Sequence, residues 1–360
     1  MSGNLVIMRL ARGRPVKNPG GQNGEMKLHM LHRSINRRSV LRLGIAAAAT
    51  AVGAPRRALA QAYPSRRITI IVPYSPATAF DTIARVAGQK ITERWGQPVV
   101  VDNKPGAAGS LGTELAASAP PDGYTLVTCG APQTVHPSLI KNLRYDPIAS
   151  FAPIGLLATN TVVLVVNPNV FPVNSLGELI AAVKAKPGYY NYSSPGVGTL
   201  QQLGMELFKQ QLGLDVQHVP YRGQAQAVTD FIGGQVHMTF TAVNTILAHV
   251  RAGKLRIIAS AGSKRSPIVP EIPTLTELGH PSLDFNLWFG FEAPANTPQP
   301  IVQMWEQELS AISKMPDARE ALERQGLTVT YMDAAATGAL MKSEIARWRA
   351  VVEKAGIKPE

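Results

Sequence analysis

Cysteine is almost absent from this sequence. Cys129 is the only one in 360 residues, so no internal disulfide can form. It lies in the apolar run "YTLVTCG", where it reads as a small buried hydrophobe with no neighbour to lower its pKa for nucleophilic work. Aromatic residues make up 6% of the chain and no long basic run follows Arg67, which argues against a nucleic-acid partner despite a net charge of +12. Catalytic signatures are missing as well: there is no G-x-S-x-G elbow, no P-loop and no H-E-x-x-H. His136, His218, His237 and His249 lack metal-ligand spacing, and His29, His32 and His280 fall in the leader or a loop, so no metal and no cofactor is expected. Acidic residues are scarce at the start of the chain. The first 60 residues hold 11 Lys or Arg against one acid, Glu25, which leaves 25 bases and 23 acids for the rest. The basicity belongs to the N-terminal segment.

That segment has the layout of an export signal. "NRRSVLR" (Asn36 to Arg42) precedes an uncharged, Ala-rich stretch from Leu43 to Pro55, and Ala58-Leu59-Ala60 forms a small-x-small site. Cleavage after Ala60 would leave Gln61 as the mature N-terminus. The apolar stretch falls short of the roughly 20 residues that a membrane span requires. Arg37-Arg38 followed by Ser39, Val40 and Leu41 resembles a twin-arginine signal; an ordinary secretory signal with adjacent arginines is the other reading. Residues 1–29 are superfluous to either, so Met30 stands beside Met1 as a candidate start. Both readings place the mature chain in the periplasm.

From Gln61 onward, strand and helix signals alternate. Ile68–Val72 reads as a strand, and a helix follows from about Asp81 to Trp95, with Gly96 as its stop. "QPVVVDN" is a second strand, "SLGTELAASA" a helix with Ser110 as a possible cap, and "YTLVTC" a third strand. This βαβαβ order predicts an α/β fold with a parallel sheet covered by helices. "TVVLVVNP", "NYSS", "DVQHVP", "QVHMTFTA" and "LRIIASAG" continue the strands, and the chain from about Ala293 reads as mainly helical. Trp288 and Phe289 read as core or interdomain packing, with a cleft wall as the alternative.

Three turns share one design: a strand, a loop of small residues and prolines, then a helix start. They are Tyr74–Asp81, Gly130–Thr134 and Ser193–Thr199. Ligands bind at such places, because helix-start N–H groups point outward and small side chains let a ligand approach them. The residues expected to face a ligand in the first turn are Tyr74, Ser75, Ala77, Thr78, Ala79, Phe80 and Asp81. The plainer alternative there is a tight turn whose Asp81 caps its own helix. In the second turn the candidates are Ala131, Gln133 and Thr134, with His136 just beyond, which is equally readable as an ordinary polar residue at a helix start. In the third they are Ser193, Ser194, Gly196, Val197, Gly198 and Thr199, as donors to ligand oxygens or as plain turn residues. Tyr221 and Arg222 in "VPYRG" complete the set, Arg222 pairing with an anion or simply meeting solvent. Ser75 or Ser194 with a histidine would mimic a nucleophilic pair, but no spacing supports one.

Several stretches, taken in order, resemble the tripartite tricarboxylate transporter substrate-binding receptors, also called Bug-type extracytoplasmic solute receptors. They are "YPSRRITIIVPYSPATAFDTIARVAGQKITERWGQPVVVDNKPGAAGSLGTELAASAPPDGYTL", "NYSSPGVGTLQQLGMELF", "VPYRGQAQAVTDFIGGQVHMTF" and "RAGKLRIIASAGSKRSPIVPEIPTLTELG", then "TPQPIVQMWEQEL" and "RWRAVVEKAGIK". Together they cover residues 63–358. The resemblance implies a periplasmic binding protein-like fold of type II, with two lobes of mixed or parallel sheets and a hinge. Crossings between lobes are expected near Val165–Asn169 and Asn286–Glu292, which gives residues 63–166 plus 290–360 for lobe one and 167–289 for lobe two. It implies a monomer that is not an enzyme. Its ligand would be a small organic carboxylate held largely by loop backbone and ordered water, and its partner a membrane permease or, alternatively, a membrane sensor. The binding loops would match Tyr74–Asp81, Ser193–Thr199 and Tyr221–Gly223.

Two departures stand out. The first loop, glycine-rich in the family, here reads Ser75-Pro76-Ala77-Thr78-Ala79-Phe80-Asp81, so methyl groups and a phenyl ring would narrow the pocket. Thr241 stands where many relatives carry Asp, which removes a partner for a cationic ligand group. A carboxylate with apolar or aromatic character, rather than an amino acid, is expected.

Overall fold

A computed structural model describes residues 63–359. The expected export signal, with its arginine pair and Ala58–Ala60 site, lies outside the described residues. No helix among those described is long and apolar enough to cross a membrane.

The first sheet opens with the expected βαβαβ. Strand β1 (Ile68–Val72) is followed by helix α1 (Ala79–Trp95), β2 (Val99–Asn103), α2 (Ser110–Ala117), β3 (Thr125–Gly130) and α3 (Ala131–Leu139). Strand β1 pairs in parallel with both β2 and β3. Its Ile68, Ile70 and Val72 are fully buried against Ile83, Ala84, Ala87 and Ile91, which recur along α1 at helical spacing. Gly96 ends α1 in the left-handed region, as its place in the sequence predicts. Ser110 is not a cap: Gly109 holds that position at φ 99°, without a side-chain bond.

The rest of this sheet is mixed. Strand β4 (Phe151–Asn160), β10 (Leu287–Pro294) and β11 (Thr328–Met332) complete the order β11-β4-β10-β3-β1-β2. Strand β10 runs antiparallel to β3 and β4, and β11 antiparallel to β4. Gly290 is required at the bulge between β10 and β4, because a Cβ there would lie 2.5 Å from the Gly155 carbonyl. Helices α8 (Gln299–Ile312), α9 (Pro316–Glu323) and α10 (Ala334–Ala355) follow β10, so the mainly helical tail contains one strand, β11.

The second sheet holds β5 (Val162–Val166), β6 (Asn191–Ser194), β7 (Gln217–Pro220), β8 (Met238–Ala242) and β9 (Arg256–Ser260) in the order β7-β6-β8-β5-β9. Helices α4 (Leu176–Ala185), α5 (Leu200–Leu212), α6 (Gln224–Ile232) and α7 (Val243–Arg251) connect them. Ser175 caps α4 by accepting from the Glu178 N–H. Sheet membership changes earlier than the expected crossing near Val165–Asn169. The buried run "VVLVV" pairs with β8 and β9, so the chain leaves the first sheet at about Thr161. It returns through residues 285–287, just ahead of β10. The Val162 N–H donates to Asn286 Oδ1 at 3.1 Å and ties the two crossings together.

Candidate functional site

The first turn sits at the carboxyl end of β1 and is organised around Asp81. Thr78 is the N-cap of α1; its Oγ1 accepts from the Asp81 N–H and donates to Ser75 O. Asp81, three residues on, turns its carboxylate back into the loop. Oδ2 accepts the Ala77 N–H at 3.0 Å and Arg85 Nε at 2.8 Å, and Oδ1 accepts Arg85 Nη2 and Asn103 Nδ2. Asn103, at the end of β2, also donates to Tyr74 O. The Arg85 guanidinium, first among several donors, holds the Asp81 carboxyl below its usual range. Asp81 and its own loop amide are thus spent on the turn.

Ala77 adopts φ 63°, the left-handed region that glycine would enter freely. The loop accepts this strain and turns the Ala77 amide inward. Phe80 points the other way from the expected pocket. Its ring is buried, stacked on Tyr74 at 4.2 Å and edge-on to Phe289 at 4.9 Å. Exposed at the loop are Ser75, Pro76 and Ala77. The N–H groups of Thr78, Ala79 and Phe80 find no partner among the described residues.

The second turn gives its side chains to the interior. Ala131, Gln133, Thr134 and His136 are each at most 3% exposed. Thr134 Oγ1 donates to Ala131 O, and Gln133 Nε2 donates to Glu292 Oε2 at 3.0 Å. His136 spends both ring nitrogens, Nδ1 at 2.5 Å from Tyr145 Oη and Nε2 at 3.1 Å from Ala108 O. Burial lowers its pKa to about 4, so it is neutral.

His136 thereby anchors the segment between β2 and α2. Gly106, Ala107, Ala108 and Gly109 all have positive φ. A Cβ on Gly109 would lie 2.7 Å from the Tyr74 ring, so this turn is seated directly against the first loop. The Pro-Gly-x-x-Gly spacing was the available signal.

In the second sheet the loops after β6 and β7 lie side by side, joined by the Tyr221 N–H donating to Ser194 O. Ser193 and Ser194 are buried. Ser194 Oγ lies 2.7 Å from His218 Nε2, a contact that superficially matches a nucleophile and its base. The surrounding hydrogen bonds favour a bracing role instead. Ser194 donates its own proton to Gly196 O, while Gln202 Nε2 donates to His218 Nδ1, so the imidazole gives a proton to Ser194 rather than taking one. Thr199 Oγ1 donates to Gly196 O, and the Gly198 N–H donates to Gln202 Oε1. Gly198, at φ 77°, packs so closely on Leu139 that a Cβ would lie 2.5 Å from Cδ1. Val197 stands 54% exposed at the tip. Thr241 Oγ1 accepts from Gln224 Nε2 and meets Thr245 Oγ1. Arg222 is exposed, with no ion pair among the described residues. Helices α5 and α6 both start without a side-chain cap bond.

Most of the polar side chains singled out in the sequence therefore brace the loops. What stays open is backbone: the first-turn N–H groups of α1, α5 and α6, with Arg222 beside the last. Free N–H groups at helix starts favour an anion.

Comparison with known proteins agrees with this chemistry. Residues 83–357 match the tripartite tricarboxylate transporter family receptor. The chain is 34% identical over 318 residues to protein BugT of Bordetella pertussis, covering 88% of this chain and 97% of BugT. The solved periplasmic binding protein BugD is 31% identical, with a TM-score of 0.67 over 83% of this chain and all of that one. An R. palustris protein solved with adipate is 29% identical, with a TM-score of 0.70, 83% of this chain and 100% of that chain being covered. MatC of Rhodopseudomonas palustris, with bound malate, is 30% identical with a TM-score of 0.66, covering 81% and 100%. The chain belongs to the tripartite tricarboxylate transporter family of receptors and is a solute-binding protein, not an enzyme.

Proposed function

We propose that this chain is a periplasmic receptor that binds a small organic carboxylate and hands it to a tripartite tricarboxylate-type membrane permease. The export signal ahead of Gln61 carries it out of the cytoplasm. On this reading each sheet is the centre of one lobe, residues 63–160 with 287–359 and residues 161–286, with the hinge at the crossings near Thr161 and Asn286, a division supported by the separate strand orders and the Val162–Asn286 bond. The anion sits between the loops at the carboxyl ends of β1 and β6, and closure adds the second lobe's contacts to the first's. The observation that carries the reading is the set of unpartnered helix-start N–H groups, those of Thr78, Ala79 and Phe80 at α1 in one sheet and those at the uncapped starts of α5 and α6 in the other. The adipate and malate in the related structures are acids of the same class.

The apolar character of the ligand rests on Ala77, Ala79 and the exposed Val197, since Phe80 is turned into the core. Thr241 spends its hydroxyl on Gln224 and Thr245 and offers no charge to an ammonium group.

Native mass spectrometry on residues 61–360 purified from the periplasm tests the reading. A small acid should co-purify, be lost on denaturing and refolding, and rebind on addition. Recovery of amino acids alone, or of no ligand from a carboxylate library, would sink it. Arg222→Ala should weaken binding of that acid about tenfold in calorimetry, the value of one charge-assisted contact, while thermal stability is unchanged because the side chain is exposed. An unchanged affinity removes Arg222 from the site.

A further inference from the structure

The loops that face the proposed ligand occupy one side of each sheet. In the first sheet they follow β1 and β3; in the second they follow β6, β7 and β8. On the other side of the crossings lies a cavity of about 470 Å³. Its first-sheet wall comes from β4, the start of β10, β11 and α10. Its second-sheet wall comes from Thr161, the 263–267 loop after β9 and the 284–286 segment. The crossings β4–β5 and 285–287 run between this cavity and the binding loops, and both of the cavity's walls are attached to them. Rotation about the hinge must therefore change the distance between those walls. The volume lies within the roughly 300–1,000 Å³ of small-molecule sites, which favour domain junctions.

The lining specifies a chemistry. Trp288, Met332 and Leu340 supply an apolar floor, and Thr159, Thr330 and Ser266 supply hydroxyls. The acids of the lining are engaged already. Glu344 accepts from Trp288 Nε1 at 2.9 Å and Arg347 Nη2 at 2.6 Å, and Asp284 sits against Ser263. Of the three cations, Arg265 is held by Glu277 and the other two are not fully engaged. Lys264 is exposed and makes no ion pair among the described residues, and Arg347 Nε is buried without a hydrogen-bond partner. The unmet capacity of the cavity is therefore for acceptors, beside a flat apolar surface.

We infer that this cavity is a second ligand site, for a small aromatic anion, and that its occupancy shifts the hinge angle. A molecule held there wedges the walls at one separation and so favours one arrangement of the lobes, whatever acid the binding loops carry. Arg347 links the two walls directly: its Nη1 donates to Asp284 O at 2.7 Å while Nη2 holds Glu344 on α10.

The test uses the chain from Gln61 to Glu360 and the aromatic anion 8-anilinonaphthalene-1-sulfonate as probe, with no cargo acid present, so it stands or falls apart from the proposed receptor function. Two exposed lining positions are changed, Lys264→Glu to reverse the unpaired charge and Ser343→Trp to fill the mouth. Spin labels at Gln89→Cys on α1 and Gln226→Cys on α6 report the separation of the lobes; Cys129, 1% exposed, stays unlabelled. The probe should bind one to one with a rise in fluorescence. Binding should fall about tenfold or more in Lys264→Glu and be lost in Ser343→Trp, both variants unfolding at the wild-type temperature. The probe should also move the inter-label distance by more than about 2 Å. A probe that does not bind, or binds both variants as tightly as wild type, overturns the site. Binding at the site with an unchanged distance distribution overturns the link to the hinge.

Discussion

Glu292→Gln is expected to stabilise this protein by roughly 4–5 kcal/mol at pH 8.5 and to leave it unchanged near pH 4. Glu292 lies on β10 in the middle of the first sheet and is fully buried. Its one side-chain partner among the described residues is Gln133, and Oε1 is buried with none. Burial pushes its carboxyl up to about 8, with the Gln133 bond opposing that shift. The folded state therefore keeps a proton that the unfolded chain, with a value near 4.5, has already released. The native state suffers no penalty below the unfolded value. The penalty grows by about 1.4 kcal/mol per unit of pH up to the folded value, then levels off. Glutamine copies the neutral acid and removes this dependence. Urea unfolding of both proteins from pH 4 to pH 9 checks it: the curves should coincide in acid and diverge above about pH 5. Parallel curves throughout would mean that Glu292 does not hold its proton. His136, buried neutral with a value of about 4, acts in the opposite sense in both proteins, costing stability as pH falls below its unfolded value near 6.5. It therefore cancels from the difference.

Asp81→Ala should lower stability by about 2–4 kcal/mol and weaken acid binding by at least about tenfold, though the carboxylate itself faces the loop. The substitution strips one acceptor from the Ala77 N–H, the Asn103 amide and the Arg85 guanidinium together. Arg85 is half exposed and can return to water, so the stability loss comes chiefly from the loop amide and Asn103. Without the carboxylate, Ala77 has no reason to stay at φ 63°, and the N–H groups of Thr78, Ala79 and Phe80 lose their fixed direction. Because the folded-state pKa is depressed, the stabilisation is present above the unfolded value of about 3.8 and lost as pH falls through the lower folded one. Wild type should therefore converge on the variant only in strong acid. Calorimetry with the co-purified acid, alongside denaturant unfolding, separates the two effects. Full affinity in Asp81→Ala would show that the loop's shape does not depend on its carboxylate.

The elements legible in the sequence are those whose cues are local. The apolar runs of β1 and β3, the helical spacing of Ile83 to Ile91 and the stop at Gly96 follow from side-chain period and glycine conformation alone. Strands β4, β10 and β11 were not legible. "FAPIGLLATN" carries Pro153 and Gly155 and has no alternation, and it becomes a strand because β10 and β11 flank it on both sides. The crossing at Thr161 was misplaced for a related reason. "VVLVV" reads as a buried strand wherever it is put, and only its pairing with β8 and β9 assigns it to the second sheet.

The candidate loops followed the same division. Small residues between a strand and a helix start mark where an anion can approach backbone, and that much is chemistry carried by the sequence itself, as is the family. Which atoms remain open was decided by tertiary contacts. Asp81 meets Asn103 across 22 positions, His136 meets Ala108 across 28 and Ser194 meets His218 across 24. Each partner arrives from a different strand or turn. Each contact consumes a polar side chain that looked available and leaves the helix-start amides free. Burial did the rest, since Glu292 keeps its proton above its ordinary range, and His136 stays neutral in acid, only once the sheet and α3 enclose them.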